Sequence, residues 1–125
     1  MLRTLLFAAA LAFAAPVLAA STLKAVDTDK DGTIDIAEAK AAAGAAFDKL
    51  DADHDGTLDK KELKGRIANK DWPMADPDKD GTVSKDEYLG FVEAMFKKAD
   101  PDGEGTIDKK ELMSKAGGEL QRLLK

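Results

Sequence analysis

Asp27-Thr28-Asp29-Lys30-Asp31-Gly32-Thr33-Ile34-Asp35-Ile36-Ala37-Glu38 is the first of four copies of one acidic twelve-residue phrase. The others start at Asp51, Asp76 and Asp100 and end at Glu62, Glu87 and Glu111. Oxygen-bearing side chains stand at positions 1, 3, 5, 9 and 12: Asp27, Asp29, Asp31, Asp35 and Glu38; Asp51, Asp53, Asp55, Asp59 and Glu62; Asp76, Asp78, Asp80, Ser84 and Glu87; Asp100, Asp102, Glu104, Asp108 and Glu111. Position 7 is Thr33, Thr57, Thr82 or Thr106, each expected to offer its backbone carbonyl. Position 6 is glycine in every copy, where a sharply reversing chain needs a conformation that side chains resist. Such a loop wraps its oxygens around one hard cation, with two oxygens from the terminal Glu.

The 125-residue chain is one domain's worth and carries a net charge of −5. It has no Cys, which excludes disulfides, zinc-thiolate sites and thiol catalysis. Its single His excludes a multi-histidine metal site within one chain. No basic footprint for nucleic acid is present. Of its 24 acidic residues only Asp48, Asp71, Asp86, Glu93 and Glu119 lie outside the loop positions. A merely solvated acidic surface would not be sorted in this way. The loops repel themselves until a cation arrives, so the metal-free chain is expected to be loosely folded and metal to supply much of the folding free energy.

Residues 1–20 differ in kind. Arg3 gives a positive start, Leu5 to Ala15 is apolar, Pro16 breaks the run, and Val17-Leu18-Ala19 offers small residues for cleavage. This reads as a secretory signal peptide. A membrane anchor needs roughly 20 apolar residues, and the run is shorter. With no twin-Arg pair and no Cys for a lipid, a Sec route to the periplasm, or secretion beyond it, is expected, leaving residues 21–125 as the metal-binding domain with no membrane association.

Only 12 or 13 residues separate neighbouring loops, so one helix must serve two of them. Ala39, Ala42, Ala43, Ala46, Phe47 and Leu50 share a helical face, as do Tyr88, Leu89, Phe91, Val92, Met95, Phe96 and Ala99. A helix between Glu38 and Asp51 sets loops 1 and 2 roughly 20 Å apart. Leu63, Ile67 and Ala68 suggest a short helix that Asn69-Lys70-Asp71-Trp72-Pro73 interrupts, so that the chain doubles back. The prediction is an all-α bundle of about three main helices with peripheral loops paired 2 with 3 and 1 with 4. Leu58 would meet Val83, and Ile34 would meet Ile107. A last helix carries Leu112, Met113, Ala116, Leu120, Leu123 and Leu124, weakened at Gly117-Gly118.

The phrase is that of the EF-hand loop, and all its donors are oxygens that suit hard cations. Five carboxylates leave a formal −3 around Ca²⁺ and −2 around a lanthanide(III) ion, so crowding favours the trivalent guest. Up to four sites follow, with loop 4 weakest because Glu104 stands where Asp or Asn is expected beside Gly103, and loop 3 ranked lower for its Ser84. His54 reads as solvated, Trp72 as a core plug, and Met74, Met95 and Met113 as packing. Lys60-Lys61 and Lys109-Lys110 read as solvated helix starts. No nucleophile–base pair points to an enzyme.

The chain resembles the lanmodulins, exported lanthanide-binding EF-hand proteins of methylotrophic bacteria. The resemblance rests on the loop spacing, on Asp35, Asp59 and Asp108 at position 9, on Pro77 and Pro101 at position 2, and on stretches such as Ala45 to Leu50 and Leu63 to Arg66. Thr28 and Ala52 stand where the family often has Pro. It implies a three-helix core, selective rare-earth binding in the periplasm, and service to uptake or to a lanthanide-dependent dehydrogenase. A calcium buffer or sensor is the alternative, and a metal-dependent docking protein a third.

Overall fold

A computed structural model describes residues 19–125. Helix α1 covers residues 19–26. There follow β1 (Ile34–Asp35), α2 (Ile36–Leu50), β2 (Thr57–Leu58), α3 (Lys60–Leu63), a 3-10 turn (Asn69–Asp71), α4 (Trp72–Ala75), β3 (Val83–Ser84), α5 (Lys85–Ala99), β4 (Thr106–Ile107), α6 (Lys109–Leu112) and α7 (Lys115–Leu123). The expected leader, residues 1–20, lies outside the described residues except for Ala19 and Ala20, which open α1. No helix of the described residues is long and apolar enough to cross a membrane.

The helices that leave the loops all start by one device. Position 9 is the N-cap, and position 12, three residues on, closes a capping box: Asp35 with Glu38, Asp59 with Glu62, Ser84 with Glu87 and Asp108 with Glu111. Each side chain bonds the other's backbone N–H, satisfying two donors that a helix start leaves open. The last four residues of every loop are thus also the start of a helix.

Helices α2 and α5 lie antiparallel, since Lys40 pairs with Glu93 at 3.1 Å while Asp48 pairs with Lys85 at 3.2 Å. These exposed pairs contribute at most about 1 kcal/mol each and serve mainly to mark the register. The adhesion comes from the buried stripes: Ala39, Ala43, Phe47 and Leu50 of α2, and Tyr88, Phe91, Val92, Met95, Phe96 and Ala99 of α5, join one core cluster with Leu120 and Leu123 of α7. Phe47 and Tyr88 meet edge to face with centroids 5.6 Å apart. The antiparallel arrangement brings the loops together as expected. Ile34 opposes Ile107 and Leu58 opposes Val83, in two small antiparallel sheets.

Three local expectations are corrected. Helix α3 ends at Leu63, because Lys64 (φ 53°) and Gly65 (φ 79°) turn left-handed, so Ile67 is buried from outside a helix. Trp72-Pro73 does not end a helix but begins α4, with the proline in the first turn where its missing N–H costs nothing. The tail breaks at Met113-Ser114, not at the glycines. Ser114 caps α7 by accepting from the Gly117 N–H at 3.0 Å, and Gly117 and Gly118 lie inside that helix. Among the residues read as packing, Met95 is buried, whereas Met74 and Met113 are 48% and 43% exposed. Trp72 packs only partly against the core, with the Lys60 ammonium 5.1 Å from its ring centre.

Gly117 is present for closeness. A Cβ there would collide with the Glu111 carbonyl and the Leu112 backbone, whereas one at Gly118 meets nothing within 4 Å. Gly117→Ala is therefore expected to destabilise the protein by roughly 1–3 kcal/mol. Gly118→Ala should be neutral or stabilising by up to about 1 kcal/mol, since it restores helix propensity. Thermal unfolding of the two variants, monitored by circular dichroism, checks the contrast.

Candidate metal centres

Four groups of carboxylates converge, one per loop: Asp27, Asp29, Asp31 and Glu38; Asp51, Asp53, Asp55 and Glu62; Asp76, Asp78, Asp80 and Glu87; Asp100, Asp102 and Glu111. In each group one oxygen per residue lies within 4.8 Å of all the others. The position-1 Asp is buried and the residues at positions 3 and 5 are exposed, so each cluster faces outward from a fixed base.

The base is held by the position-6 glycine. Its N–H donates to the position-1 carboxylate at 2.8 Å (Gly32 to Asp27), 3.0 Å (Gly56 to Asp51), 3.0 Å (Gly81 to Asp76) and 2.8 Å (Gly105 to Asp100). That N–H points inward only because these glycines sit at φ 82–85°. Position 4 is left-handed too, at Lys30, His54, Lys79 and Gly103. Gly103, expected to loosen loop 4, therefore fits a turn that the other three loops strain to make. His54 is exposed, in line with its reading as a solvated residue.

Position 7 does more than the sequence reading gave it. Thr33 bonds Asp31 with its backbone N–H at 3.0 Å and its hydroxyl at 2.9 Å. Thr57 does the same to Asp55 at 2.9 and 3.1 Å, and Thr82 to Asp80 at 2.9 and 3.0 Å. The Thr at position 7 beside the Asp at position 5 was the available signal. In loop 4 the Glu104 carboxylate lies outside the cluster. The position-9 carboxylates of Asp35, Asp59 and Asp108 also lie outside the clusters, each committed by one oxygen to its helix cap, and the Ser84 hydroxyl is committed to its cap in the same way.

The terminal Glu separates the loops into two kinds. In all four, one oxygen accepts the position-9 N–H at 2.8–3.2 Å. In loops 1 and 2 the other oxygen is also held: Glu38 by the Thr28 N–H at 2.8 Å, and Glu62 by the Ala52 N–H at 3.1 Å. Pro77 and Pro101 have no N–H to give. Glu111 Oε2, Asp76 Oδ1 and Asp100 Oδ1 are buried without a partner. A buried carboxylate oxygen left unpaired is costly unless a cation meets it. These orphaned oxygens, in an all-oxygen donor set, fit a hard cation.

The charges are correspondingly strained. Asp29 is pushed up to about 6, chiefly because it shares a hydrogen bond with Asp27, and Asp78 likewise by Asp76. Burial, then Asp51, raises Asp53. Contact with Asp102 raises Glu104. The threonine bonds hold Asp31, Asp55 and Asp80 below the usual range. Burial would raise Glu38, but donors from Asp35, Asp29 and Thr28 outweigh it and lower the group. Glu111, opposite Pro101, is raised by burial.

The EF hand family's sequence profile matches residues 18–40, 44–65, 74–92 and 91–114, which take in all four loops. Lanmodulin of Methylorubrum extorquens is 62% identical over 64 residues, 50% of this chain and 48% of that protein. The match thus spans about half the length of that relative, and over it the likeness to the lanmodulins read from the sequence holds.

Two outcomes are expected. A raised carboxyl keeps its proton more readily in the folded chain, so its contribution favours folding below the ordinary carboxylate range and is lost as pH rises through the folded value. Acidifying the metal-free chain from pH 7 to about 5 should therefore increase its helicity, through Asp29 and Asp78, before the lowered groups act below about pH 4. Metal uptake should weaken over the same window, because protons compete for the ligands. Circular dichroism with and without metal reads both. Separately, Glu104→Asp is expected to tighten the fourth site by up to about tenfold, leaving the other three unchanged. Calorimetric titration would show this in the weakest step.

Proposed function

The chain belongs to the EF-hand family, and from that premise we propose that it is an exported protein that captures and buffers lanthanide(III) ions in preference to calcium, folding more tightly as it does so. The observation that carries this reading is the crowding of each loop. Asp29 lies so close to Asp27, and Asp78 to Asp76, that Asp29 and Asp78 are pushed up to about 6. A trivalent ion of calcium's size relieves more of that repulsion than a divalent one. Mg²⁺ is smaller and sheds water reluctantly, so these many-oxygen loops suit it poorly.

The capping boxes supply the link from binding to folding. The Glu that would clasp the ion is the third residue of the outgoing helix, so the ion fixes a helix start as it binds. The likeness to Lanmodulin supports the rare-earth preference, and the apolar residues 5–15 support export to the periplasm. Capture there would serve uptake or delivery to a lanthanide-dependent dehydrogenase. The reading is of a binding protein, not an enzyme, because the loops account for the paired carboxylates and the chain has no Cys and one His.

Parallel circular-dichroism titrations of the mature chain with chelator-buffered La³⁺ and Ca²⁺ test the proposal. The expected result is a gain of helix at La³⁺ concentrations at least about a hundredfold below those of Ca²⁺, beyond the coupling of ordinary calcium loops. Coincident midpoints would make the protein a calcium buffer instead.

A further inference from the structure

Helix α7 belongs to no metal loop, yet it touches the residue that follows the terminal Glu in two of them. Tyr88 follows Glu87, and its hydroxyl donates to the Leu123 carbonyl at 2.6 Å. Leu112 follows Glu111, and its carbonyl accepts from Gln121 Nε2 at 2.8 Å. Gly117 presses α7 against the same Glu111–Leu112 backbone. The other end of the Gln121 amide reaches a third loop. Its Oε1 accepts from the Thr22 hydroxyl at 2.8 Å, and Thr22 stands in α1, the helix that leads into Asp27. The amide has one workable orientation, since a backbone carbonyl only accepts and so must face the NH₂ group. Both side chains are buried, Thr22 at 3% and Gln121 at 7% exposure, so neither bond is exchanged cheaply for water.

These bonds close a ring. Loop 1 meets loop 4 through Ile34 and Ile107; loop 4 leads out into α6; α6 ends on Gln121; Gln121 holds α1; and α1 leads back into loop 1. At the other end of the bundle the outgoing helix of loop 2 and the incoming helix of loop 3 touch through Lys60 and Trp72, an exposed cation over a half-buried ring. That contact is of a weaker kind than two buried hydrogen bonds.

We infer that Gln121 is a positioning residue that couples loops 1 and 4, so that an ion in either holds the helix serving the other and the pair fills as one unit. The inference rests on the loops binding metal, as proposed above, but not on which metal they prefer.

The position-6 glycine amides give one NMR reporter per loop, because each donates to its own position-1 carboxylate. The experiment follows Gly32, Gly56, Gly81 and Gly105 in the full chain during chelator-buffered titration, once with La³⁺ and once with Ca²⁺, both diamagnetic. In the parent chain Gly32 and Gly105 should change together. Gln121→Met keeps the length and loses both bonds; it should move both midpoints by at least about fivefold, with Gly56 and Gly81 moving by less than about twofold. Thr22→Val, which keeps the bond between Gln121 and the Leu112 carbonyl, should move the same two glycines. The double variant should be no worse than Gln121→Met, as expected for members of one network. All four glycines moving by one factor would reduce Gln121 to a general stabiliser and overturn the inference. So would a change confined to Gly105, or none. Equal uptake of La³⁺ and Ca²⁺ would sink the rare-earth reading while leaving the glycine order to decide the coupling.

Discussion

The carboxylate at the twelfth loop position holds two structures together at once. One oxygen of each terminal Glu accepts the N–H of its helix cap, and the same side chain closes a ring of acidic oxygens within 4.8 Å. A helix start and an ion site therefore share an atom group. Remove the cation and the ring is a concentration of like charge beside a helix N-terminus, which partly offsets it through its own dipole. Supply the cation and the strain becomes clasp. The rest of the fold arranges four such groups so that their helices can be packed together.

That arrangement follows from economy of length. With 12 or 13 residues between loops, α2 and α5 each carry a loop at both ends, so loop 1 cannot pair with loop 2, nor loop 3 with loop 4. Pairing has to come from the antiparallel partner. The Ala-rich face of α2 lets the bulkier face of α5 approach, and Lys40–Glu93 and Asp48–Lys85 record the resulting alignment. The strand contacts Ile34–Ile107 and Leu58–Val83 are the product of helix packing as much as of the loops themselves.

Much of this was legible in the chain. The loops were plain because five oxygen positions and a glycine recur together, and the pairing followed from helix length and the turn at residues 69–73. What escaped notice depends on distances between segments that sequence order does not reveal. Gly117 and Gly118 look alike as helix weakeners; only the nearness of the Glu111 carbonyl makes the first indispensable and the second incidental. Lys64 gives no compositional sign of the left-handed turn that ends α3. Trp72-Pro73 was misread because a proline that ends one helix and one that begins another share the same dipeptide. The capping role of Asp35, Asp59 and Asp108 was hidden by the stronger expectation that every loop carboxylate points at the ion.

The place of the single tryptophan makes the molecule optically lopsided. Trp72 opens the four-residue helix that runs directly into Asp76, with Lys60, the tenth residue of loop 2, lying over its ring. Loops 1 and 4 lie at the far ends of α2 and α5, roughly 20 Å away along a fifteen-residue helix. Were an emissive cation bound, energy absorbed by the indole would reach it more efficiently in loops 2 and 3 than in loops 1 and 4. A luminescence titration with such a cation would then weigh the second and third loops above the first and fourth.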